Sequence, residues 1–322
     1  MKRGITVVYL ARAAEGLEPL RAFSESYRRH PAGTEHELCV IYKGFTRRRD
    51  LRGAREALDG IEDRSVDFED VGLDIGAYLR AARTSERELF CGLNTFSTIL
   101  HDGWLGRLAE ELDRPGVGLT GASASYESFG TSSAFHRRVT AAMARGAPGL
   151  SEPYAYMNAS SSSPLRERIH GLALRALFRS FPHPHVRSNA FLVDRRRLLR
   201  ARPGRIDRKT LALLFESGRW WGLSRRVHTE GLSLRLVGRE GGFDVREWPE
   251  SRVFRLGDQE NLLVADNQTR VYAQASEVMR CGLRLHTWGE YLDPRLIAAP
   301  SLGRRFRARP GRTGGRGAYG KS

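Results

Sequence analysis

Asp74 stands in the segment Val71-Gly72-Leu73-Asp74-Ile75-Gly76-Ala77-Tyr78-Leu79-Arg80-Ala81-Ala82-Arg83, an acidic residue two before a glycine at a junction between extended and helical patterns. A carboxylate there can accept the N–H of uracil or a similar base edge, and the amides of a helix start favour anions. The alternative is a helix cap on an ordinary surface helix. His183 and His185 alternate with Pro182 and Pro184, a spacing that admits a metal site but has no further ligand close by. Trp220 and Trp221 offer rings that stack on a sugar or fill a core. Asp266 and Asn267 close an apolar run, either as a turn or as a late loop over phosphates, with His286 and Trp288 following. There is no Walker A loop, no G-x-S-x-G elbow and no H-E-x-x-H pair, which removes several common enzyme classes.

The elements that must position these residues alternate. Residues 5–10, 37–42, 66–70, 88–93 and 117–121 read as strands; 15–30, 49–59, 74–83 and 104–112 read as helices. Strand–helix alternation at this spacing predicts an α/β fold with a doubly wound, mostly parallel sheet, and ligands beyond the carboxyl ends of its strands. Residues 123–163 turn Ser-, Ala- and Gly-rich and read as an insertion or lid; 164–181 read as an amphipathic Arg-rich helix. That helix either packs on the core or docks on an anionic membrane surface. Val186 to Val193 is expected as one strand, 208–230 as mostly helix and 232–237 as a strand. The boundaries follow: 1–122 a nucleotide-binding half, 123–181 the insertion, 182–302 an acceptor-side half of the same domain, and 303–322 a disordered basic tail.

The 322 residues suffice for one large domain with a buried core. No apolar run approaches a membrane span, and Cys39, Cys91 and Cys281 have neither metal-ligand nor disulfide spacing, so a cytoplasmic setting is expected, with contact at the inner membrane face as the extension of it. The net charge of +16 suggests a nucleic-acid partner, but the charge is nearly all arginine and is spread along the chain. A codon bias toward arginine explains that distribution, and arginine also suits diphosphates and anionic glycans. Nucleic acid is therefore the less favoured partner.

Over residues 5–125 the order of pieces resembles the family-two-like glycosyltransferases of GT-A type: D-x-G-x-x-x-x-A-A-R from Asp74, an apolar strand, then Gly103-Trp104-Leu105. The resemblance continues at Leu223, Arg226 and Gly231 and covers about residues 5–290. It implies a GT-A-like fold, a nucleotide-sugar donor, a glycan or other hydroxyl acceptor, and a role in bacterial surface polysaccharide synthesis. It implies that Asp74 reads the base beside the backbone of Tyr9 and Leu10, that Asn94 and Ser97 contact ribose or diphosphate, and that Arg83 is a further donor contact. Arg187 and Asn189 lie on the acceptor side, with Trp220, Asp266 and Asn267 as further contacts.

Two departures stand out. The family's D-x-D position reads Asn94-Thr95-Phe96, without the carboxylates that prefer divalent metals. Either metal is held elsewhere, or Arg80, Arg83 or Arg187 replaces it, or the domain is inactive. Asp102 is the nearby carboxylate that could bind metal, though an N-cap for the helix at Trp104 is its preferred reading. The family's acidic pair would fall on Arg219-Trp220. Glu216, one turn earlier, is then the expected general base, with a solvated helix-face carboxylate as the alternative. Two readings compete with a transferase: a non-catalytic glycan- or nucleotide-binding domain of this fold, and a basic nucleic-acid binder.

Overall fold

A computed structural model describes residues 3–69, 73–128, 130, 172–201 and 209–289. The first half alternates strictly: β1 (Ile5–Arg12), α1 (Glu18–Arg29), β2 (Glu37–Lys43), α2 (Arg48–Leu58), β3 (Arg64–Phe68), α3 (Leu73–Thr84) and β4 (Leu89–Leu93). After a short β5 (Thr98–Ile99) come α4 (Trp104–Leu112), β6 (Val117–Gly121) and β7 (Ala124–Ser125). The second half holds β8 (His185–Val186), β9 (Phe191–Asp194), α5 (Arg195–Arg200), α6 (Lys209–Ser217), α7 (Leu223–Thr229), β10 (Ser233–Gly238), β11 (Gly241–Asp244), β12 (Val264–Ala265), α8 (Asn267–Gln274) and α9 (Glu277–Trp288).

The eight-stranded central sheet runs β11-β10-β6-β9-β4-β1-β2-β3. β3, β2, β1 and β4 are mutually parallel, as are β6 and β10, while β9 lies antiparallel between β4 and β6, and β11 antiparallel on β10. Among the described residues this is a mostly parallel α/β sheet flanked by helices. Both faces are covered, so the inner strands are apolar throughout. Alternate residues of β1 show it: Val8 and Leu10 join one core with α3, Phe191 and Trp248, while Val7, Tyr9 and Ala11 join the other with Phe23 and Trp104.

Two local expectations need correction, and a third gains a break. Val186 to Val193 is two strands, because the chain turns at Arg187–Ala190, with Ala190 in the left-handed region (φ 50°), before entering the sheet as β9. The stretch 208–230 is mostly helix, as expected, but in two pieces: a Cβ on Gly218 would lie 2.3 Å from the Trp221 carbonyl oxygen, and Gly222 has φ 133°, so the glycines end α6 and let α7 restart. Asp102 is not the cap of α4. Gly103 occupies that position with no side-chain bond, and Asp102 pairs instead with His30 Nδ1 at 2.7 Å on the surface. The insertion beyond residue 130, the first part of the 164–181 helix and the 303–322 tail lie outside the described residues. Of that helix, 172–177 are helical, with Leu172 exposed. No helix among the described residues is long and apolar enough to cross a membrane.

Candidate functional site

The parallel strands β4 and β6 end on the same edge of the sheet, and β9 enters between them from that edge. Where β4 stops, Asn94 folds its own loop: its Oδ1 accepts the Phe96 N–H at 2.9 Å, and its carbonyl accepts the Ser97 N–H at 3.1 Å. Asn189, in the turn before β9, clamps this loop from across the sheet. Its Oδ1 accepts the Asn94 N–H at 2.9 Å and the Ser97 hydroxyl at 2.7 Å. The close approach depends on Gly92, where a Cβ would sit 2.6 Å from the Phe191 ring. So three expected site residues, Asn94, Ser97 and Asn189, form one buried polar unit.

Beside it lies a cluster of charges. Pairing of β7 with β8 sets Ser125 opposite His185 and Ala124 opposite Val186, and the Glu127 side chain, two residues past β7, reaches Arg187 at 4.0 Å. From the last turn of α9, His286 Nδ1 comes within 3.5 Å of the other Glu127 oxygen. Glu216 at the end of α6 receives the Ser188 hydroxyl at 2.6 Å and faces His185 at 3.6 Å. The Arg187 and Arg255 guanidiniums both lie over the Phe254 ring, 4.8 and 4.9 Å from its centroid. Arg255 donates to Thr287 Oγ1 and Gln268 Oε1, whereas the Nε of each arginine is buried with no hydrogen-bond partner among the described residues.

The electrostatics follow from crowding charges away from water. Burial alone would raise the Glu127 carboxyl, but His286, Arg187 and Arg255 outweigh it and hold it below the ordinary value. Burial, then the neighbouring Arg187, pulls Arg255 down to about 10. Burial opposes the charge on Arg187 too, yet Glu216, Glu127 and Asp266 raise it above the usual arginine value. His185 and His286 are pushed down, chiefly by burial. At neutral pH the cluster thus holds two guanidiniums, ionised Glu127 and uncharged imidazoles.

The remaining expected residues divide. Asp74 sits in the first turn of α3, and its charge, with that of Asp266, acts on the buried Tyr78 hydroxyl, which has no hydrogen-bond partner among the described residues. Arg83 lies apart from these residues. It lies in the exposed last turn of α3, about 14 Å along the axis from Asp74 at 1.5 Å per residue, where the helix has run back to the opposite sheet edge. Arg80 is also exposed and lies over Phe68. Of the three arginines considered as replacements for metal, Arg187 is the one in the rim cluster. Tyr9 and Leu10 are fully buried on opposite faces of β1; Tyr9 stacks on Phe23 and donates to the Thr95 carbonyl at 2.9 Å, so only their backbone could line a pocket. Asp266 forms a capping box at the head of α8 with Thr269, and Asn267 is exposed in that first turn. Trp220 is 68% exposed, its indole N–H donated to the Ala176 carbonyl at 3.1 Å. His183 and His185 spend a nitrogen each on the carbonyls of Ser217 and His183.

No group of three or more His, Cys, Asp or Glu among the described residues could hold a metal ion. Position by position, Asn94 and Thr95 lack the charged oxygens that Mg²⁺ or Mn²⁺ prefers, and Asp102 points to His30, so the described rim does not fit a divalent metal. Sequence reading missed Glu127, Arg255 and Phe254. Glu127 lies in the small-residue stretch read as an insertion, and only the partnering of β7 with β8 reveals it.

No family model matches the chain, and no curated protein matches it in sequence. Among solved structures it is similar to the mannosyltransferase PcManGT from Pyrobaculum calidifontis, in complex with GDP-Man and Mn2+, over 38% of this chain and 35% of that one, at 13% identity and TM-score 0.32. The mannosyltransferase Ktr4p from S. cerevisiae aligns over 63% and 58% of the two chains, at 13% identity and TM-score 0.32. TarS 1-349 from S. aureus aligns over 36% and 34%, at 15% identity and TM-score 0.30. The matched stretches thus span less than two thirds of each of these chains.

Proposed function

We propose that the chain is a glycosyltransferase moving a sugar from a nucleotide-sugar to a hydroxyl of a glycan or similar acceptor, without a D-x-D metal site. The observation that carries this reading is the convergence on one sheet edge of the Asn94–Ser97–Asn189 unit with Arg187, Glu127 and Glu216. Open α/β sheets bind ligands at that edge.

In this reading Asp74 meets the base, Asn94 and Ser97 meet ribose or phosphate, and Arg187 faces the diphosphate. Guanidinium geometry suits paired phosphate oxygens, and a donor leaving as nucleoside diphosphate needs positive charge where negative charge develops. Glu216 takes the proton of the acceptor hydroxyl as its oxygen attacks the anomeric carbon and the bond to the diphosphate breaks. Asp266, Asn267 and Trp220 remain proposed contacts on the acceptor and phosphate side. Surface polysaccharide as the product and the inner membrane face as the place of work belong to the same proposal.

The test is release of nucleoside diphosphate from a panel of nucleotide-sugars, with and without a mixed glycan acceptor. Acceptor-dependent release from one donor is expected. Donor binding with no release under any acceptor would instead identify a binding domain, and neither binding nor release overturns the reading.

A further inference from the structure

Trp220 (68% exposed) and Leu172 (63%) are the large apolar side chains most open to water among the described residues, and they stand on adjoining structure. The helical residues 172–177 half-bury Leu174 and Leu177, lead into buried Phe178, and leave Leu172, Ala173 and Ala176 exposed. The turn after α6 is strapped to the end of this helix. Phe178 bridges Gly218, and the Arg219 N–H donates to the Leu177 carbonyl at 2.8 Å. The Arg219 guanidinium donates to the Arg175 carbonyl and the Trp220 indole to the Ala176 carbonyl, each at 3.1 Å. Carbonyls that a helix end leaves open are thus taken, and the Trp220 ring is held out in solvent with the Arg219 guanidinium 5.1 Å from its centroid.

We infer that this face docks on the surface of an anionic lipid bilayer, with Trp220 and Leu172 entering the headgroup boundary and Arg175 and Arg219 meeting lipid phosphates. Indole rings favour that boundary, and a ring whose N–H is already bonded to Ala176 enters it without an unmet donor. Arginine beside an inserted ring supplies the attraction to anionic headgroups, on a chain whose net charge is +16. The two apolar side chains expose on the order of 300 Å², well short of the roughly 800 Å² per partner of a stable protein interface, so a bilayer suits the patch better than a second copy of the chain. Trp220 comes soon after Glu216, so docking ties the end of α6 to the membrane. Docking rests on the proposed function only in taking a membrane as the place of work; the transfer itself is not needed. While the chain is docked the ring lies in lipid, so a sugar contact of Trp220 belongs to the undocked chain.

Flotation of the full chain with vesicles of phosphatidylcholine, alone or mixed with phosphatidylglycerol, tests this. Binding to the mixed vesicles is expected, weakening as salt rises. Trp104, Trp248 and Trp288 are buried, so a blue shift and a quenching by brominated lipid that vanish in Trp220→Phe place the Trp220 ring in the bilayer. Trp220→Ala and Leu172→Glu should each weaken partitioning by about tenfold or more. Leu172→Glu leaves the bonds of Arg219 and Trp220 to the helix in place, so its melting midpoint and its turnover with a water-soluble acceptor should match the parent's. Binding that both variants leave intact, equal binding to phosphatidylcholine alone, or no binding to either vesicle overturns the inference. Self-association that depends on Trp220, without vesicle binding, overturns it in favour of a second copy. Absent turnover with Trp220-dependent vesicle binding retained overturns the transferase and leaves the docking standing.

Discussion

Ser188 donates twice to one oxygen of Glu216: its backbone N–H at 3.2 Å and its hydroxyl at 2.6 Å both end on Oε2. The carboxylate is thereby held in one orientation while the Glu216 side chain stays 16% exposed. A charge kept near the surface, fixed by a neighbour in the turn before β9, is what a proton acceptor on this edge requires.

Glu216→Gln keeps the shape and removes the proton-accepting charge. Turnover should fall by about 10²- to 10⁴-fold, the usual worth of a general base, with donor affinity within about threefold of the parent. Ser188→Ala should reduce turnover by a smaller factor. Steady-state rates with titrated donor binding check this. Full turnover in Glu216→Gln removes the base assignment and directs attention to Glu127.

Asn189→Ala deletes the acceptor shared by the Asn94 N–H and the Ser97 hydroxyl. Losing such bonds at a buried position should cost about 1–3 kcal/mol in denaturant unfolding. Donor affinity should fall with it, because the loop after β4 loses its clamp. Lost stability with unchanged nucleotide affinity would mean that the loop does not touch the donor.

The first half of the fold was legible because its signals are local. Strands 5–10, 37–42 and 88–93 are apolar on both faces, and the helix over 104–112 is where its periodicity places it. The second half was less so. β9 carries the same apolar letters as a parallel strand, and nothing in Phe191-Leu192-Val193 announces that it enters antiparallel between β4 and β6. The start of α8 reads as a turn or a loop and α9 goes unassigned, although Asp266 and Ser276 are good N-caps. Asn94, Ser97, Arg187, Asn189 and Glu216 could be named from the sequence. Their ties to one another and to Glu127 and Arg255 join residues up to 95 positions apart, which composition and spacing do not encode.

Gly92→Ala should destabilise the protein by about 1–3 kcal/mol, the range for overpacking a core. The added methyl would lie 2.6 Å from Phe191 Cε1 and 3.2 Å from Tyr78 Cε2, both in the buried core. Urea denaturation checks it. An unchanged midpoint would show that the strands can part there without penalty.

Acid should weaken the fold in two stages. His185 and His286 titrate below 6.5 when folded, so between their folded values and 6.5 the unfolded chain binds more protons. Their contribution is complete above 6.5 and declines as pH falls through that window. Glu127 is depressed below 4.5, so its contribution is present above 4.5 and is lost as pH drops through its folded value. Tm should therefore be level near neutrality and fall on acidification, with a shallower first stage in His286→Asn. A Tm that rises between pH 7 and 5.5 contradicts the buried neutral imidazoles.

The central claim, that Arg187 takes the place of metal at the donor diphosphate, is tested most directly by titrating nucleoside diphosphates into the parent and Arg187→Gln proteins, each with Mn2+ and with EDTA. The account predicts saturable binding of one nucleoside diphosphate that EDTA leaves unchanged and that Arg187→Gln weakens at least about tenfold, the worth of a charge-assisted bidentate contact, with the variant's own melting transition retained. Binding that appears only with Mn2+, or that survives Arg187→Gln undiminished, contradicts it.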